Sequence, residues 1–336
     1  MNKIINSLIH KDSSCIPIWF MRQAGRYLPE FREIRLKNPN FIKLCLNSDL
    51  SSEITIQPII RFNLDAAIIF SDILMVPYGL GQNVDFIKNE GPVLSDFKID
   101  EFLNYDEKKF TARLQPVYRA IEKTRKKLKK EKSLISFIGS PWTLIVYMMG
   151  LKINKNSINF DILEKKKIEV DLILDKINNF LCLHIKNQIA AGADVVQIFD
   201  SWAGLLKKKD LEKYCYEPNL KLVNFCKTSA IPVICFPKGI GEDYANFYKI
   251  VKPDGINIDY DLDPEWARKN LEGASIQGGM NPKILLLEEK NICDEALKYL
   301  QVFKDYPYIF NLGHGLLPET NPDKVKKLIN FIKNYN

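Results

Sequence analysis

Short apolar segments alternate with longer amphipathic segments along the whole chain, and this alternation constrains the fold more than any other feature. Eight segments are short and rich in Ile, Val and Phe, as strands buried on both faces are. They span residues 17–22, 66–70, 133–138, 194–199, 232–236, 255–259, 274–277 and 308–311. Because a helical pattern follows each of them, the sequence predicts an α/β protein with a parallel sheet.

Four predicted helices begin with a helix-capping residue followed directly by proline, which is favoured at the first helical position. These dipeptides are Ser140-Pro141, Asp263-Pro264, Asn281-Pro282 and Asn321-Pro322. Helical patterns cover residues 51–62, 110–129, 160–191, 210–228, 243–251, 264–271, 284–303 and 322–335. Eight strand–helix units without a linker predict a single (β/α)8 TIM barrel, one domain over residues 1–336. An open, doubly wound sheet is the alternative, because periodicity does not report whether a sheet closes.

Composition excludes several classes of protein. The 336 residues are 46% hydrophobic and 26% charged, so the chain can bury a large core and is not disordered as a whole. No run of about 18 apolar residues is present, so we expect no membrane-spanning helix. Residues 1–12 alternate polar and apolar side chains too closely for a signal peptide, and we expect a cytoplasmic protein.

The positive charge is mostly a lysine background. The net charge of +7 comes from 48 basic and 41 acidic residues, and only nine of the basic residues are Arg. A Lys-rich stretch such as residues 123–132 is typical of a solvated helix end. No basic stripe with interleaved aromatic residues is present, so we expect no nucleic-acid partner. The informative feature is that four of the nine Arg lie between Arg22 and Arg35.

Cysteine and histidine are scattered singly. Seven Cys without a C-x-x-C pair are typical of free thiols in a reducing compartment. The three His have no metal-ligand spacing, and the Walker A, G-x-G-x-x-G and G-x-S-x-G motifs are absent. The sequence therefore predicts neither a metal site nor a nucleotide cofactor.

In a barrel of this kind, functional residues lie just after the carboxyl ends of the strands. Arg22 and Arg26 follow the first predicted strand and flank Gly25, which permits close approach of a ligand. Arginine offers a bidentate fork for carboxylates that lysine does not match. The pattern favours an anion-binding pair, with structural ion pairs to Glu30 and Glu33 as the alternative.

Four more candidates follow other predicted strands. Asp72 comes after a buried strand and suits a carboxylate that faces a cationic or N–H-rich ligand, or else a local loop hydrogen bond. His314 lies between two glycines and is expected to face a ligand. Ser201 has no base partner in sequence, so a hydrogen-bonding role is favoured over a nucleophilic one. Tyr147 taken alone is more typical of a core or surface residue.

Several of these segments resemble one known family. PIWFMRQAGRYLPEFR at residues 17–32 resembles the amino-terminal signature of the uroporphyrinogen decarboxylase family. GSPWTL at residues 139–144, followed by Tyr147-Met148, resembles its second signature. FSDIL at 70–74, FDSW at 199–202 and NLGHG at 311–315 match further family segments in the same order. The resemblance covers essentially the whole chain.

The resemblance implies a barrel enzyme, a carboxy-lyase that converts uroporphyrinogen III to coproporphyrinogen III in haem (porphyrin) biosynthesis. Four acetate side chains become methyl groups with loss of CO2. The family uses no cofactor and no metal, since a pyrrole protonated at a ring carbon accepts the electrons that decarboxylation releases. The resemblance also implies a homodimer.

It further implies roles for individual residues. Asp72 would accept the pyrrole N–H groups at the centre of the macrocycle and stabilise a cationic intermediate. Arg22 and Arg26 would bind carboxylates. Arg22 is also a candidate proton donor, with water or a substrate carboxyl group as alternatives because the pKa of arginine is very high. The other expected substrate-binding residues are Gln23, Ala24, Gly25, Arg35, Phe70, Tyr147, Phe199, Ser201 and His314, and Tyr147 is also expected to be catalytic.

Two departures from the family pattern and two alternative functions remain. Ser140 stands where many members have Ala, and Gly279-Met280-Asn281-Pro282 replaces the usual Asn-Leu-Asp-Pro. A cobamide-dependent methyltransferase would need a zinc-binding Cys/His set, for which this chain offers only isolated residues. A non-catalytic tetrapyrrole-binding barrel would be expected to lack Asp72 or the Arg pair.

Overall fold

The computed structural model describes residues 2–87, 91–154 and 157–335; residues 1 and 336 of the predicted 1–336 domain lie outside them. Its centre is a curled, all-parallel sheet of seven strands, hydrogen-bonded in chain order. The strands are β1 (Ala66–Ile68), β2 (Ser133–Gly139), β3 (Val195–Asp200), β4 (Val233–Pro237), β5 (Gly255–Ile258), β6 (Ser275–Gly278) and β7 (Tyr308–Ile309). The predicted α/β class and parallel sheet are confirmed.

The predicted first strand, residues 17–22, is wrong as a strand. It forms a single parallel bridge, between Ile18 and Phe310. The Trp19 amide donates to the Phe310 carbonyl at 3.3 Å, and the Asp65 amide donates to the Ile18 carbonyl at 3.0 Å. The segment therefore lies between the two ends of the sheet, but Pro17 has no N–H to donate. The chain then turns, with the Gln23 amide bonded to the Phe20 carbonyl, so no longer ladder forms.

Each predicted helical segment overlaps a helix of the structure. The α-helices are Lys3–Ile9, Pro29–Lys37, Phe41–Cys45, Ser48–Phe62, Met75–Gly79, Ile99–Leu103, Glu107–Lys127, Pro141–Met148, Phe160–Lys165, Lys167–Ala190, Glu217–Thr228, Tyr244–Val251, Pro264–Asn270, Glu289–Val302 and Pro322–Tyr335. Short 3₁₀ turns cover Ala203–Leu205, Lys208–Asp210, Gly241–Asp243 and Pro282–Leu286. No helix in the described part of the chain is long and apolar enough to cross a membrane.

The helix boundaries follow local chemistry. The side chains of Ser140, Asp263, Asn281 and Asn321 each accept a backbone N–H of the first turn, as the capping dipeptides predict. The predicted helix 210–228 is less regular than expected, because a π-helical turn, Glu212–Tyr216, precedes the α-helix. Pro218 at the start of that α-helix cannot donate a backbone hydrogen bond, which permits this change of register.

Two antiparallel hairpins were not predicted: Val84–Ile87 pairs with Gly91–Leu94, and Lys152–Asn154 pairs with Ser157–Ile158. Both lie in connections that follow strands of the parallel sheet. Their strands have two to four residues, which is too short for a period-2 pattern to be recognised in the sequence.

The core has two layers. A large cluster of buried apolar residues fills the space between sheet and helices. A smaller cluster inside the curl of the sheet includes Trp19, Ile135, Val195 and Phe236. Ile4 and Leu8 of the first helix belong to this inner cluster and are fully buried. That helix therefore covers the amino-terminal end of the sheet and leaves the carboxyl ends of the strands as the accessible end.

Candidate active site

Four residues predicted from sequence come together at the carboxyl ends of the strands: Arg22, Asp72, Tyr147 and His314. Asp72 and Tyr147 both interact electrostatically with Arg22, and Arg22 interacts in the same way with His314. They are contributed by four separate segments, from residue 22 to residue 314. The fold thus places one cation, one carboxyl, one phenol and one imidazole around a common opening, which we call the mouth.

Arg22 stands on a strained turn. Its φ of +61° lies in the left-handed region that side chains other than glycine seldom adopt. The Gln23 side chain holds this turn, accepting from the Phe20 amide at 3.0 Å and donating to the Ala66 carbonyl at 3.0 Å. Asn311 holds it from the other side by accepting the Met21 amide at 3.0 Å. Backbone strain that buried hydrogen bonds maintain indicates that this turn serves to direct the Arg22 side chain rather than to stabilise the fold.

The glycines around His314 are required by close packing. A Cβ on Gly315 would lie 2.4 Å from Cδ of Arg22, and a Cβ on Gly313 would lie 2.3 Å from the amide nitrogen of Tyr260. The G-H-G pattern therefore does more than orient the imidazole. It leaves the space that the aliphatic part of Arg22 occupies.

Asp72 is a carboxyl with little local support. It follows β1, and its Oδ1 accepts the Leu74 amide at 2.9 Å, so the loop bond considered as an alternative is present. Burial raises the pKa of Asp72 to about 6, against the opposing effects of the Leu74 amide and Arg22. An ionised carboxylate here is short of donors, and a ligand that presents N–H groups would supply them.

The arginines of the mouth are not used in ion pairs with neighbouring acids. Arg22 keeps solvent-accessible surface because the mouth is open, while desolvation by the surrounding protein lowers the pKa of its guanidinium. Glu30 instead forms a bidentate pair with Arg61, with two N···O distances of 2.8 Å. Among the residues that the structure describes, neither Arg22 nor Arg26 lies within 4.0 Å of a carboxylate. The structural ion-pair alternative is therefore not what the structure shows.

Tyr147 and Ser201 lie on either side of Trp202. Tyr147 is on the Pro141–Met148 helix, and its ring packs edge-on against Trp202 with 5.7 Å between centroids. Ser201, exposed at the end of β3, immediately precedes Trp202. Burial raises the pKa of Tyr147 further above its ordinary value, and the Asp72 carboxylate acts in the same direction. Tyr147 is therefore a neutral hydrogen-bonding group at physiological pH.

His314 is held uncharged by its surroundings. Desolvation lowers its pKa to about 4, and the cations Arg22 and Lys238 act in the same direction. It is half-buried at the mouth. Lys238, at the end of β4, is a cation of the mouth to which the sequence assigned no role. The signal that was available is its position directly after a strand.

The remaining predicted binding residues of the amino-terminal segment lie beside the mouth. Ala24 and Gly25 are partly exposed beside the Arg22 turn, whereas Gln23 is buried and engaged with backbone. Arg35 donates to the Asn38 carbonyl at 2.6 Å, and both Arg35 and Asp72 interact electrostatically with Cys45.

The aromatic side chains form the walls below the mouth. Phe70 packs against Phe31 and Phe41, with centroids 5.5 and 5.9 Å apart. Phe199 packs edge-on against Phe137 at 5.7 Å. Both predicted Phe residues thus lie at strand ends in aromatic clusters, close to the residues that line the opening.

His184 and the cysteines are structural by their contacts. His184 is buried between Tyr118, 2.9 Å from its Nδ1, and Gln188, 3.1 Å from its Nε2. The seven cysteines are all free thiols. Within residues 2–87, 91–154 and 157–335, no group of three or more His, Cys, Asp or Glu is arranged to hold a metal ion.

The chain is similar to known proteins over nearly its whole length. The family model described as uroporphyrinogen decarboxylase (URO-D) matches residues 1–335. A uroporphyrinogen decarboxylase of Orientia tsutsugamushi is 42% identical over 342 residues, covering 100% of this chain and 99% of the relative. One of Rickettsia felis is 41% identical over 340 residues, covering 100% and 97%.

Solved structures give the fold independently. A methyltransferase from Methanosarcina mazei superposes with a TM-score of 0.81 over 99% of this chain and 98% of its own, at 15% sequence identity. At that identity the likeness concerns the fold alone. The family model and the relatives at about 40% identity concern the sequence itself, and the chain belongs to the uroporphyrinogen decarboxylase family.

Proposed function

We propose that this chain decarboxylates the four acetate side chains of uroporphyrinogen III to give coproporphyrinogen III, in haem biosynthesis. The observation that carries the proposal is the half-buried, desolvated and donor-poor carboxyl of Asp72, placed in a mouth with Arg22, Tyr147 and His314. A tetrapyrrole with inward N–H groups and outward carboxylates is complementary to that arrangement. Family membership supports the same substrate.

Each decarboxylation must move one electron pair. A proton adds to a ring carbon of the pyrrole, which becomes cationic and can accept electrons. The bond between the acetate methylene and its carboxylate then breaks, CO2 leaves, and the electron pair passes into the ring. A proton then adds to the methylene carbon, which becomes the methyl group, and the ring carbon loses its proton. One H⁺ is therefore consumed for each CO2 released. The substrate thus supplies its own electron sink.

Asp72 is assigned to the charge that develops in this step. When ionised, it accepts pyrrole N–H groups and stabilises the cationic ring electrostatically. A carboxylate already desolvated by the protein needs little reorganisation during the reaction. The hydrogen bond that its side chain accepts from the Leu74 amide occupies one of its acceptor positions, which leaves acceptor capacity for the substrate.

Arg22, Arg26 and Arg35 are assigned to the substrate carboxylates. Arg22 and Arg26 have no carboxylate partner in the described chain, so their forks are available for a bound anion. Arg22 also remains a candidate for the proton transfer, beside water and a substrate carboxyl group.

Tyr147, Ser201 and His314 are assigned to hydrogen bonding. Tyr147 is neutral near pH 7 as an ordinary phenol, and His314 is neutral because desolvation lowers its pKa to about 4, so both would orient carboxylates without adding charge. Gln23, Ala24, Gly25, Phe70 and Phe199 complete the proposed binding surface, with Gln23 acting through the backbone turn that it holds.

The two alternatives are not favoured. The methyltransferase likeness is one of fold, whereas relatives at about 40% identity are decarboxylases by name. The non-catalytic barrel is disfavoured because Asp72 and the Arg22–Arg26 pair are retained in the mouth.

The oligomeric state and location are also proposals. Family membership supports a homodimer that acts in the cytoplasm. Sedimentation of the purified chain over a range of concentrations tests the dimer, and the expected result is a species of twice 38.8 kDa.

The function is tested with uroporphyrinogen III under anaerobic conditions, using protein treated with chelator and no added cofactor. The expected product is coproporphyrinogen III with four molecules of CO2 released. Unchanged substrate in the presence of folded wild-type protein would contradict the proposal. Supplying methylcobamide and a thiol instead tests the methyltransferase alternative, for which no turnover is expected.

A further inference from the structure

A fully buried carboxyl, Asp200, lies at the end of β3 and is 1% exposed. Its Oδ1 accepts from the Thr143 hydroxyl at 2.8 Å, and its Oδ2 accepts from the Asn219 amide at 3.3 Å. Ser140 and Cys215 also contribute side-chain hydrogen bonds to it. Unlike Asp72, this carboxyl has its acceptor capacity occupied by the protein, so binding of a ligand is not its role.

The donors of Asp200 connect it to two proposed binding residues. Thr143 lies one turn before Tyr147 on the same face of the Pro141–Met148 helix. The Thr143 hydroxyl also accepts the Trp202 amide at 3.3 Å. The Trp142 indole donates to the Trp202 carbonyl at 3.1 Å. The helix that carries Tyr147 and the turn that follows Ser201 are thereby joined through the Thr143 hydroxyl and the Trp142 indole, and of these two groups Thr143 also bonds to Asp200.

We propose that Asp200 is a positioning residue that holds Tyr147 and Ser201 in one fixed relation across the mouth. This inference rests on the proposed function, in which both residues contact the substrate. Asp200 orients the Thr143 hydroxyl so that its lone pair meets the Trp202 amide, and it anchors the first turn of the helix through Ser140. Small displacements of binding groups are costly to catalysis, because the reacting groups must be closely aligned.

Asp200→Asn is the sharpest probe, since it keeps size but replaces one acceptor oxygen with a donor. The Asn219 amide cannot readily rotate away, because its nitrogen also donates to the Cys215 carbonyl at 2.8 Å. Two donors would then face each other in a buried site. Thr143→Val removes the hydroxyl at constant shape, and Thr143→Ser retains it.

The matched control is Asp194→Asn, at the opposite end of the same strand. Asp194 accepts from Arg125 at 2.6 Å and from the Leu134 amide at 2.7 Å, far from the mouth. Its loss is expected to lower the thermal midpoint but to leave kcat/KM unchanged. A purely structural role for Asp200 would give the same result.

Three measurements are made on each variant: kcat and KM with uroporphyrinogen III, the thermal midpoint, and the ¹⁵N-indole NMR signals of Trp142 and Trp202 without substrate. Asp200→Asn and Thr143→Val are expected to lower kcat/KM by about tenfold or more and to move the same indole signals. Thr143→Ser should restore both. The double variant should be no worse than the poorer single variant.

Unchanged kcat/KM in Asp200→Asn, or losses that multiply in the double variant, would overturn the proposal. If Asp200→Asn does not fold, Thr143→Val carries the test, with Thr143→Ser as its control. If wild-type protein does not form coproporphyrinogen, the proposed function fails. The indole signals still decide whether Asp200 positions the helix and the turn as one unit.

Discussion

The carboxylates at the amino-terminal end of the sheet are used in the opposite way to Asp72 at the carboxyl end. At the amino-terminal end, Asp65, Asp194 and Asp254 accept the backbone amides of Ile18, Leu134 and Val233 at 2.7 to 2.9 Å. Each of them joins one segment of the sheet to its neighbour. At the carboxyl end, the Asp72 side chain accepts the amide of Leu74, two residues away, and no other protein donor in the described part of the chain. The first group connects the sheet, whereas Asp72 connects nothing beyond its own loop.

The fold gains stability at the amino-terminal end of the sheet and gives stability up at the mouth. Satisfied, partly buried hydrogen bonds stabilise the amino-terminal end. The mouth combines a left-handed Arg22 and a desolvated Asp72, and each of these features costs the folded state stability at neutral pH. In (β/α)8 barrels the amino-terminal end serves stability and the carboxyl end serves chemistry, and the curled sheet of this chain shows the same contrast between its two ends. Variants at the two ends should therefore separate activity from stability.

Asp72→Asn should have the largest effect on activity. The neutral amide no longer stabilises a cationic ring, and its amide nitrogen opposes pyrrole N–H groups, so kcat/KM should fall by about 10²- to 10³-fold. Steady-state assays with uroporphyrinogen III measure this loss.

The same variant should be more stable than the wild type. Since the folded pKa of Asp72 is raised to about 6 from 3.8, the ionised form costs stability above pH 6. Removing it should add about 1 to 2 kcal/mol at neutral pH, a gain that disappears as the pH falls towards 4. Urea unfolding at both pH values checks the sign. If Asp72→Asn were less stable than the wild type at neutral pH, Asp72 would stabilise the fold as the amino-terminal carboxylates do, and the contrast between the two ends would be wrong.

Arg22→Lys should have the next largest effect. The charge is kept but the bidentate fork is lost, so kcat/KM should fall by about 10- to 100-fold. Lys324→Arg, on the outer helix Pro322–Tyr335, is a control that exchanges the same residue types away from the mouth. If Arg22→Lys were as active as the wild type, bidentate binding of a carboxylate by Arg22 would not contribute to activity.

Asp194→Asn should act on stability alone. It weakens the bonds to Arg125 and to the Leu134 amide, which should lower the free energy of unfolding by about 1 to 2 kcal/mol. Urea unfolding measures this change, and kcat/KM should stay at the wild-type value. A parallel fall in kcat/KM would show that the two ends are coupled.

The pH profile of the wild type should show the most gradual effect. The working form of Asp72 is the carboxylate, so kcat/KM should decline as the pH falls through about 6, by about tenfold per pH unit at the limit. The profile of Asp72→Asn should lack this decline. His314, with its pKa lowered to about 4, should add no step between pH 5 and 8, and its ring proton shifts in NMR would report this directly.

Much of the fold was predictable because its signals are local. Ser140 and Asn321 cap their helices as the dipeptides with proline indicated, and seven of the predicted strand segments overlap strands. The segment 17–22 failed because its apolar pattern is that of a strand, while its neighbours across the sheet allow one bridge only. Apolar periodicity reports burial on both faces, not the number of backbone bonds made.

The sequence alone determined the α/β class, a parallel sheet and the residues carried at the strand ends, because these depend on short-range periodicity, caps and motif identity. Only the tertiary structure decided how far those residues are desolvated and which hydrogen-bond partners they have. Thr143 and Asp200 are 57 positions apart and share a hydrogen bond, whereas Asp72 receives none from a distant element among the described residues. Two properties distinguish Asp200, which positions other residues, from Asp72, which is available for a ligand: the extent of desolvation and the number of hydrogen-bond donors within reach. Both properties arise only when distant segments pack together.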